Sequence, residues 1–331
     1  MKPAILFSTT YTNYDFLRQL PRETDRWCQF EFTTDPTHPH LFGWVVYDNI
    51  HEPIRAPVPH SHLMLVTGEP PSLRTYRPRY TSQFGAVRTS HPGLVHPKKN
   101  VDHEGQPWYY GIGESQSHGS VVDYDFLRRL ERPAKPRLIS VIASNKVTTD
   151  DHRQRLRFVE RLKEAFPSQL DVFGRGIRDV SDKADAIYPY QYHIVLENDH
   201  SGYYVSEKLT DSYLGWAFPF YSGSIRADEL LPKGSFERID MYDTDRSIAI
   251  IRASLDLDIA NQRHTLFAEG RERVLDTLNL FAILNRHFSK LPSHPPMFRR
   301  SCIYPKKLTL RLIASQVWRR VITQKWSELS N

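Results

Sequence analysis

YHIVLENDHSGYYVSEKLTDSYLGWAFPFYSGS, residues 192 to 224, decides how the rest of the chain is read. Tyr192 to Leu196 is a short β-branched and apolar run of buried-strand length. Glu197 to Gly202 is polar, with Gly as the breaker. Ser206 suits the cap of a helix through Glu207, Lys208 and Leu209 to about Leu214. Gly215 is expected to stop that helix, and Ala217 to Tyr221 reads as the next strand, with Gly223 opening a turn. A strand–loop–helix–strand unit presents its loop and helix start at the carboxyl ends of the strands, where open α/β sheets bind ligands.

Upstream, the same grammar recurs. Arg137 to Asn145 reads as a strand ending in Ser144 and Asn145. A helix from about His152 to Ala165, capped by Thr149 to Asp151, carries Leu156, Val159, Leu162 and Phe166 at helical spacing. Leu170 to Phe173 is the following strand, closed by Gly174 and Gly176. Before these lie apolar runs at Lys2–Thr9, Phe30–Thr34, Leu41–Tyr47, Ser61–Thr67 and Gln83–Val87, with a helix at Tyr14–Leu20. Strands alternating with short connections predict parallel sheets. Val122 to Leu130 reads as a helix, and the Pro- and charge-rich Glu131 to Arg137 as a domain linker. Asp245–Asp258 and Gln262–Phe288 read as helices.

Bulk properties narrow the classes. At 331 residues, 40% hydrophobic and 25% charged, the chain is an ordinary globular protein long enough for two domains. Its two cysteines, Cys28 and Cys302, form no disulfide framework and predict a reducing compartment. No apolar run reaches the roughly 18–20 residues of a membrane span, and Met1 leads into a strand rather than a signal peptide. These features predict a cytoplasmic protein. The net charge of +6 is a tail property, since eight Lys or Arg and no acid lie between Arg299 and Lys325. Nucleic-acid binding by the body is therefore not expected. The tail is amphipathic, with Leu310, Ile313, Ala314, Val317 and Val321 on one helical face. Residues 299–326 can rest peripherally on an anionic membrane, or pack on the protein itself.

Glu197, Asn198, Tyr204, Val205, Ser206, Glu207, Lys208, Leu209, Pro219, Phe220, Tyr221 and Gly223 together resemble the donor-binding signature of the α-1,3/1,4-fucosyltransferases of glycosyltransferase family 10, bacterial type. Asp199 departs from the family's usual Ser or Thr, and Ser206 from its commoner Thr. Ser144, Asn145, Arg155, Asp171, Val172, Phe173 and Gly174 fit the family's preceding β-α-β unit. Arg155 takes the place of its phosphate-contacting arginine, with Arg153 and Arg157 nearby. Thr67-Gly68-Glu69 resembles the segment whose Glu is the general base. The resemblance implies a GT-B architecture, two Rossmann-like α/β domains facing a cleft. The expected boundaries are 1–133 for an acceptor-side domain, 138–295 for a GDP-fucose domain and 296–331 for the tail.

The same resemblance implies an inverting transfer of L-fucose from GDP-β-L-fucose to an oligosaccharide hydroxyl, such as the 3-OH or 4-OH of GlcNAc or Glc on a surface glycan. The chemistry needs cations aimed at the leaving diphosphate, and Arg155 and Lys208 are the candidates. Ser206 and the helix start add N–H donors suited to phosphate. Glu207 suits either ribose hydroxyls or developing positive charge on the sugar. Ser144, Asn145, Glu197, Asn198 and Tyr204 complete the candidate donor set, with Glu69 as base. No D-x-D motif is present, and His91, His96, His103 and His118 lack ligand spacing, so no cofactor is required and no metal-binding motif is expected; a divalent ion could still stimulate. Trp108, Tyr109 and Tyr110, in the Gly- and Pro-rich stretch from His91 to Ser120, suit either packing or stacking on an acceptor sugar. From the residues alone, without the resemblance, only an anion-binding α/β protein with a candidate carboxylate base follows. A same-fold transferase for another GDP-sugar and a non-catalytic nucleotide- or glycan-binding protein stay open.

Overall fold

The computed structural model describes residues 2–23, 27, 29–119, 122–143, 145, 150–199, 202–294 and 298–307. The first half builds strands β1 (Ala4–Thr9), β2 (Glu31–Thr33), β3 (Leu41–Tyr47), β4 (Ile54–Ala56), β5 (Leu63–Val66), β6 (Ala86–Thr89) and β7 (Lys99–Val101). A short helix α1 (Pro78–Thr81) precedes β6. Six of these strands form a wholly parallel sheet in the order β2-β1-β3-β5-β6-β7. The near-continuous apolar runs of β1, β3 and β5 follow from burial on both faces. The stretch expected as a helix at Tyr14–Leu20 tightens into a 3-10 turn over Phe16–Gln19.

Helix α2 (Tyr124–Arg129), capped by Asp123, leads into β8 (Arg137–Ile142). Then follow α3 (Asp150–Ala165), β9 (Leu170–Phe173), α4 (Lys183–Ile187), β10 (Tyr190–Leu196), α5 (Glu207–Leu214), β11 (Phe218–Ser222), α6 (Ala227–Leu230) and β12 (Glu237–Arg238). The second sheet is also parallel, in the order β12-β11-β10-β8-β9. Its strand order reverses between β8 and β10, and the first sheet's between β1 and β3. Those two switch points are where doubly wound sheets leave crevices. On α3 the buried stripe is Arg155, Phe158, Val159 and Leu162; Leu156, expected in the core, is only half-buried.

Helices α7 (Thr244–Asp256), α8 (Ile259–Gln262), α9 (His264–Asp276) and α10 (Leu280–Phe288) complete the second half. The single helix expected over Gln262–Phe288 is broken, because Asn279 caps a new helix by accepting from Phe281 N. The break redirects the chain. Leu280, Phe281, Leu284 and Phe288 pack with Ile5, Phe7, Phe32, Val45 and Val66, on one face of the first sheet. A Cβ on Gly43 would come within 2.4 Å of the Phe288 ring, so glycine admits this close approach. The segment after Asn279 therefore packs with the first half, although it lies inside the 138–295 span expected for the second. Strand β13 (Ser301–Ile303) pairs antiparallel with β4, which ties the start of the tail to the same half. The rest of the tail, including Leu310 to Lys325, lies outside the described residues, as do Cys28 and Ser144.

Helix α5 ends at Leu214 with Gly215 as its C-cap, as the sequence predicts. Gly215 has φ −85°, and Trp216 takes the left-handed conformation at φ 57°. Gly215 is required for space instead: a Cβ there would lie 2.5 Å from Ile187 and 2.6 Å from Tyr110. Trp216 is held by its indole N–H on Leu130 O at 2.9 Å.

Candidate active site

The second sheet supplies one wall. Strand β10 ends in Glu197, whose buried carboxylate accepts from Ser206 N at 2.9 Å and Ser206 Oγ at 2.6 Å. Ser206 caps α5 by accepting from Lys208 N. Glu197 thus fixes where α5 begins, and the cap places Glu207 and Lys208 in its first turn. Gly223, after β11, makes room for this arrangement, since a Cβ would stand 2.4 Å from Glu197 Cγ. Burial pushes the Glu197 carboxyl up, against the Lys208 ammonium at 3.7 Å. Lys208 also lies 3.6 Å from Glu207 Oε1. Burial acts upward on Glu207 as well, but the ammonium groups of Lys208 and Lys183 outweigh it and hold this carboxyl down at about 2.

Arg155 projects from α3 across the switch point and donates to Asn198 Oδ1 at 2.6 Å. It is the buried arginine of its helix, whereas Arg153 and Arg157 are exposed. Tyr204 is buried, and its hydroxyl donates to Gly68 O of the first half at 3.4 Å.

The first sheet supplies the facing wall. Glu69 follows β5 and is half-buried. Its Oε1 accepts from Tyr11 Oη at 3.0 Å, and its backbone carbonyl lies 2.7 Å from His91 Nε2. One carboxylate oxygen is thereby fixed by a phenol that follows β1. Burial, then the Glu69 charge, pushes the Tyr11 phenol far above its ordinary value, so it acts as a neutral donor. Tyr47, at the end of β3, donates to Gln106 Oε1 at 3.1 Å, and Gln106 donates to Glu104 Oε2 at 3.1 Å. Glu104 is buried without an ion-pair partner in hydrogen-bond contact; it accepts from Ser90 N and Thr67 Oγ1, and burial pushes it up to about 7.

Tyr11, Tyr47, Gly68, Glu69, Pro70, Leu73, Pro107, Tyr109, Asn198, Tyr204, Glu207 and Lys208 line one cavity of about 240 Å³ between the two sheets. The structure thus brings Glu69, Asn198, Tyr204, Glu207 and Lys208 together at the carboxyl ends of both. Arg155 reaches this group through Asn198. Glu197 and Ser206 stand behind the wall and hold one another. Asn145 does not line the cavity; it is exposed, against Gly176, and its N–H donates to Arg175 O. Among the three aromatic residues proposed to pack or stack, Trp108 and Tyr110 are core residues and only Tyr109 faces the cavity. Tyr11, Tyr47, Glu104, Lys183 and Asp211 carry no local pattern that marks them, and His91 enters the sequence reading only as a candidate metal ligand. Most of their partners are distant in the chain. Among the described residues no group of three or more His, Cys, Asp or Glu could hold a metal ion, and no helix is long and apolar enough to cross a membrane.

Residues 132–268 match the family model for the C-terminal part of glycosyltransferase family 10 (fucosyltransferase). The matched stretch is about two fifths of the chain and carries the similarity to that family. The match contains Asn198, Tyr204, Glu207 and Lys208, the second-sheet wall of the cavity, together with Arg155, while Glu69 lies outside it. Comparison with curated protein sequences gives no match. Among solved structures, an α1,3-fucosyltransferase with GDP is similar at 16% identity and TM-score 0.47, over 87% of this chain and 90% of that one. An α1,3-fucosyltransferase with GDP-fucose is similar at 14% identity and TM-score 0.44, over 84% and 82% of the two chains. A trehalose-6-phosphate protein from E. coli bound with UDP-2-fluoro glucose is similar at 9% identity and TM-score 0.42, over 76% and 74%. The chain itself is a mixed α/β one with two larger parallel sheets.

Proposed function

We propose that this chain is a family 10 fucosyltransferase, which transfers L-fucose from GDP-β-L-fucose to a hydroxyl of a glycan acceptor, with inversion and with Glu69 as general base. One observation carries this reading: Glu69 from one sheet and the Glu207–Lys208 pair from the other face the same 240 Å³ cavity. The donor diphosphate is met by Lys208, by Arg155 beside Asn198, and by the N–H groups that open α5. These cations neutralise the leaving charge, so transfer proceeds without a bound divalent metal. Glu207, an anion under all working conditions, either accepts from ribose hydroxyls or stabilises positive charge as the glycosidic bond breaks.

Glu69 takes the acceptor proton while the acceptor oxygen bonds to the anomeric carbon and GDP departs with the bonding pair. Tyr11 occupies one Glu69 oxygen, which leaves the other for that proton. Direct displacement on a β-linked donor gives the α product and needs no covalent enzyme intermediate. The acceptor is a galactoside or N-acetyllactosamine-type glycan, taken at a 3-OH or 4-OH. The test is GDP release from GDP-fucose in EDTA and in Mn²⁺, with and without lactose and N-acetyllactosamine. Acceptor-stimulated release in EDTA is expected. GDP binding without release under any acceptor would overturn the assignment of acceptor or base, and absence of GDP binding would overturn the donor site.

A further inference from the structure

One half-buried cation at the site has no part in the transfer chemistry above. Lys183 opens α4 and does not line the 240 Å³ cavity; with His193 and Asp211 it lines a smaller one of about 90 Å³ behind Glu207 and Lys208. Its ammonium lies 3.2 Å from Glu207 Oε1 and 2.8 Å from Asp211 Oδ2. These two carboxylates stand one turn apart on α5, so a single ammonium bridges them. Asp211 is fully buried, and its other oxygen accepts from the N–H groups of Tyr109 at 3.1 Å and Tyr110 at 3.2 Å. The Tyr109 ring, a wall of the main cavity, lies 5.2 Å from the same ammonium. With Lys208 and the Glu197 beside it, the cluster holds three carboxylates against two ammonium groups. Removing Lys183 would leave three carboxylates facing one cation, and a turn of the partly exposed Glu207 toward solvent would relieve the excess.

We propose that Lys183 is a positioning residue of the transfer reaction: it aims the Glu207 carboxylate into the donor cavity and, through Asp211, sets the Tyr109 wall opposite it. The inference rests on the donor-site reading above. Lys183 does not line the donor cavity, so its effect passes through Glu207, Asp211 and Tyr109. Misplacement of a reacting or binding group by about 1 Å can cost about a hundredfold.

The experiment is calorimetric titration of GDP, with kcat and KM for GDP-fucose, on native protein, Lys183→Met, Lys183→Arg and Asp211→Asn, with thermal unfolding alongside. Lys183→Met should weaken GDP binding or kcat/KM about tenfold to a hundredfold. Lys183→Arg, whose planar fork can bridge two carboxylates, should recover most of that loss, a rescue that a merely space-filling role would not show. Asp211→Asn keeps an acceptor for the two loop N–H groups but withdraws the charge facing Lys183. It should lower kcat/KM in the same direction, and it supplies the reading if the Met variant does not fold. A folded Met variant with native binding and turnover overturns the proposal, as does an equal loss in the Met and Arg variants. Native protein that fails to bind GDP overturns the donor site and this inference together.

Discussion

Glu104→Gln should make the protein more resistant to alkaline pH, by an amount that the structure sets. The native carboxyl is buried behind the cleft wall, held by Ser90 N, Thr67 Oγ1 and Gln106 Nε2, with no ion-pair partner among the described residues. Burial raises it from an ordinary 4.5 to about 7. Below pH 4.5 both folded and unfolded states are protonated, and the group contributes nothing to the pH dependence. Between 4.5 and 7 the unfolded chain has released the proton while the folded one keeps it, so stability falls as pH rises. Above 7 the loss is complete, at about 3 kcal/mol. A glutamine stays neutral throughout and preserves hydrogen bonding once the Gln106 amide turns over.

The variant should therefore gain about 3 kcal/mol on the native protein between pH 4.5 and 8. For cooperative unfolding of 331 residues that corresponds to about 5 °C in Tm. The assay is thermal unfolding of both proteins across that range in one buffer system. Parallel profiles, with a constant offset from acid to base, would refute the reasoning and imply that Glu104 is ionised throughout.

Glu69→Gln should lower turnover by about a hundredfold to ten-thousandfold, the usual worth of a general base, with GDP affinity unchanged; steady-state rates and calorimetry separate the two. Arg155→Met should weaken GDP binding by about 1.5–3 kcal/mol, the worth of a hydrogen bond to a charged group, and the loss should be smaller for guanosine, which has no phosphate. Gly223→Ala should destabilise the fold by about 1–3 kcal/mol, because its Cβ would stand 2.4 Å from Glu197 Cγ. Thermal unfolding checks this, and GDP affinity should fall with it, since Glu197 fixes the start of α5.

The donor half of the cavity is legible in the sequence because its residues are close in the chain. Asn198, Tyr204, Glu207 and Lys208 fall within a single strand–loop–helix unit, and Ser206 announces the helix with its cap. The acceptor half is assembled differently. Tyr11, Tyr47 and Glu69 each follow or end a different strand, and their convergence depends on the order β1-β3-β5 rather than on any spacing. Asn145 illustrates the opposite case: its neighbour Gly176 admits its side chain on the outer surface, away from the cavity. The break at Asn279 was equally hidden, because apolar spacing continues from α9 into α10 while a single capping side chain turns the chain.

That turn has a mechanical consequence. The chain passes between the halves twice, once through the segment before β8 and once between α9 and α10, and both of its described ends belong to the first half. The second half is thus an insert clipped at two points, not a bead on one string. Two covalent attachments act as the pins of a door: they permit swinging about the line that joins them and resist twisting or sliding. Opening and closing of the cleft between Glu69 and Glu207 should therefore follow a single path, and excision of either half at one boundary would leave the other without part of its own core.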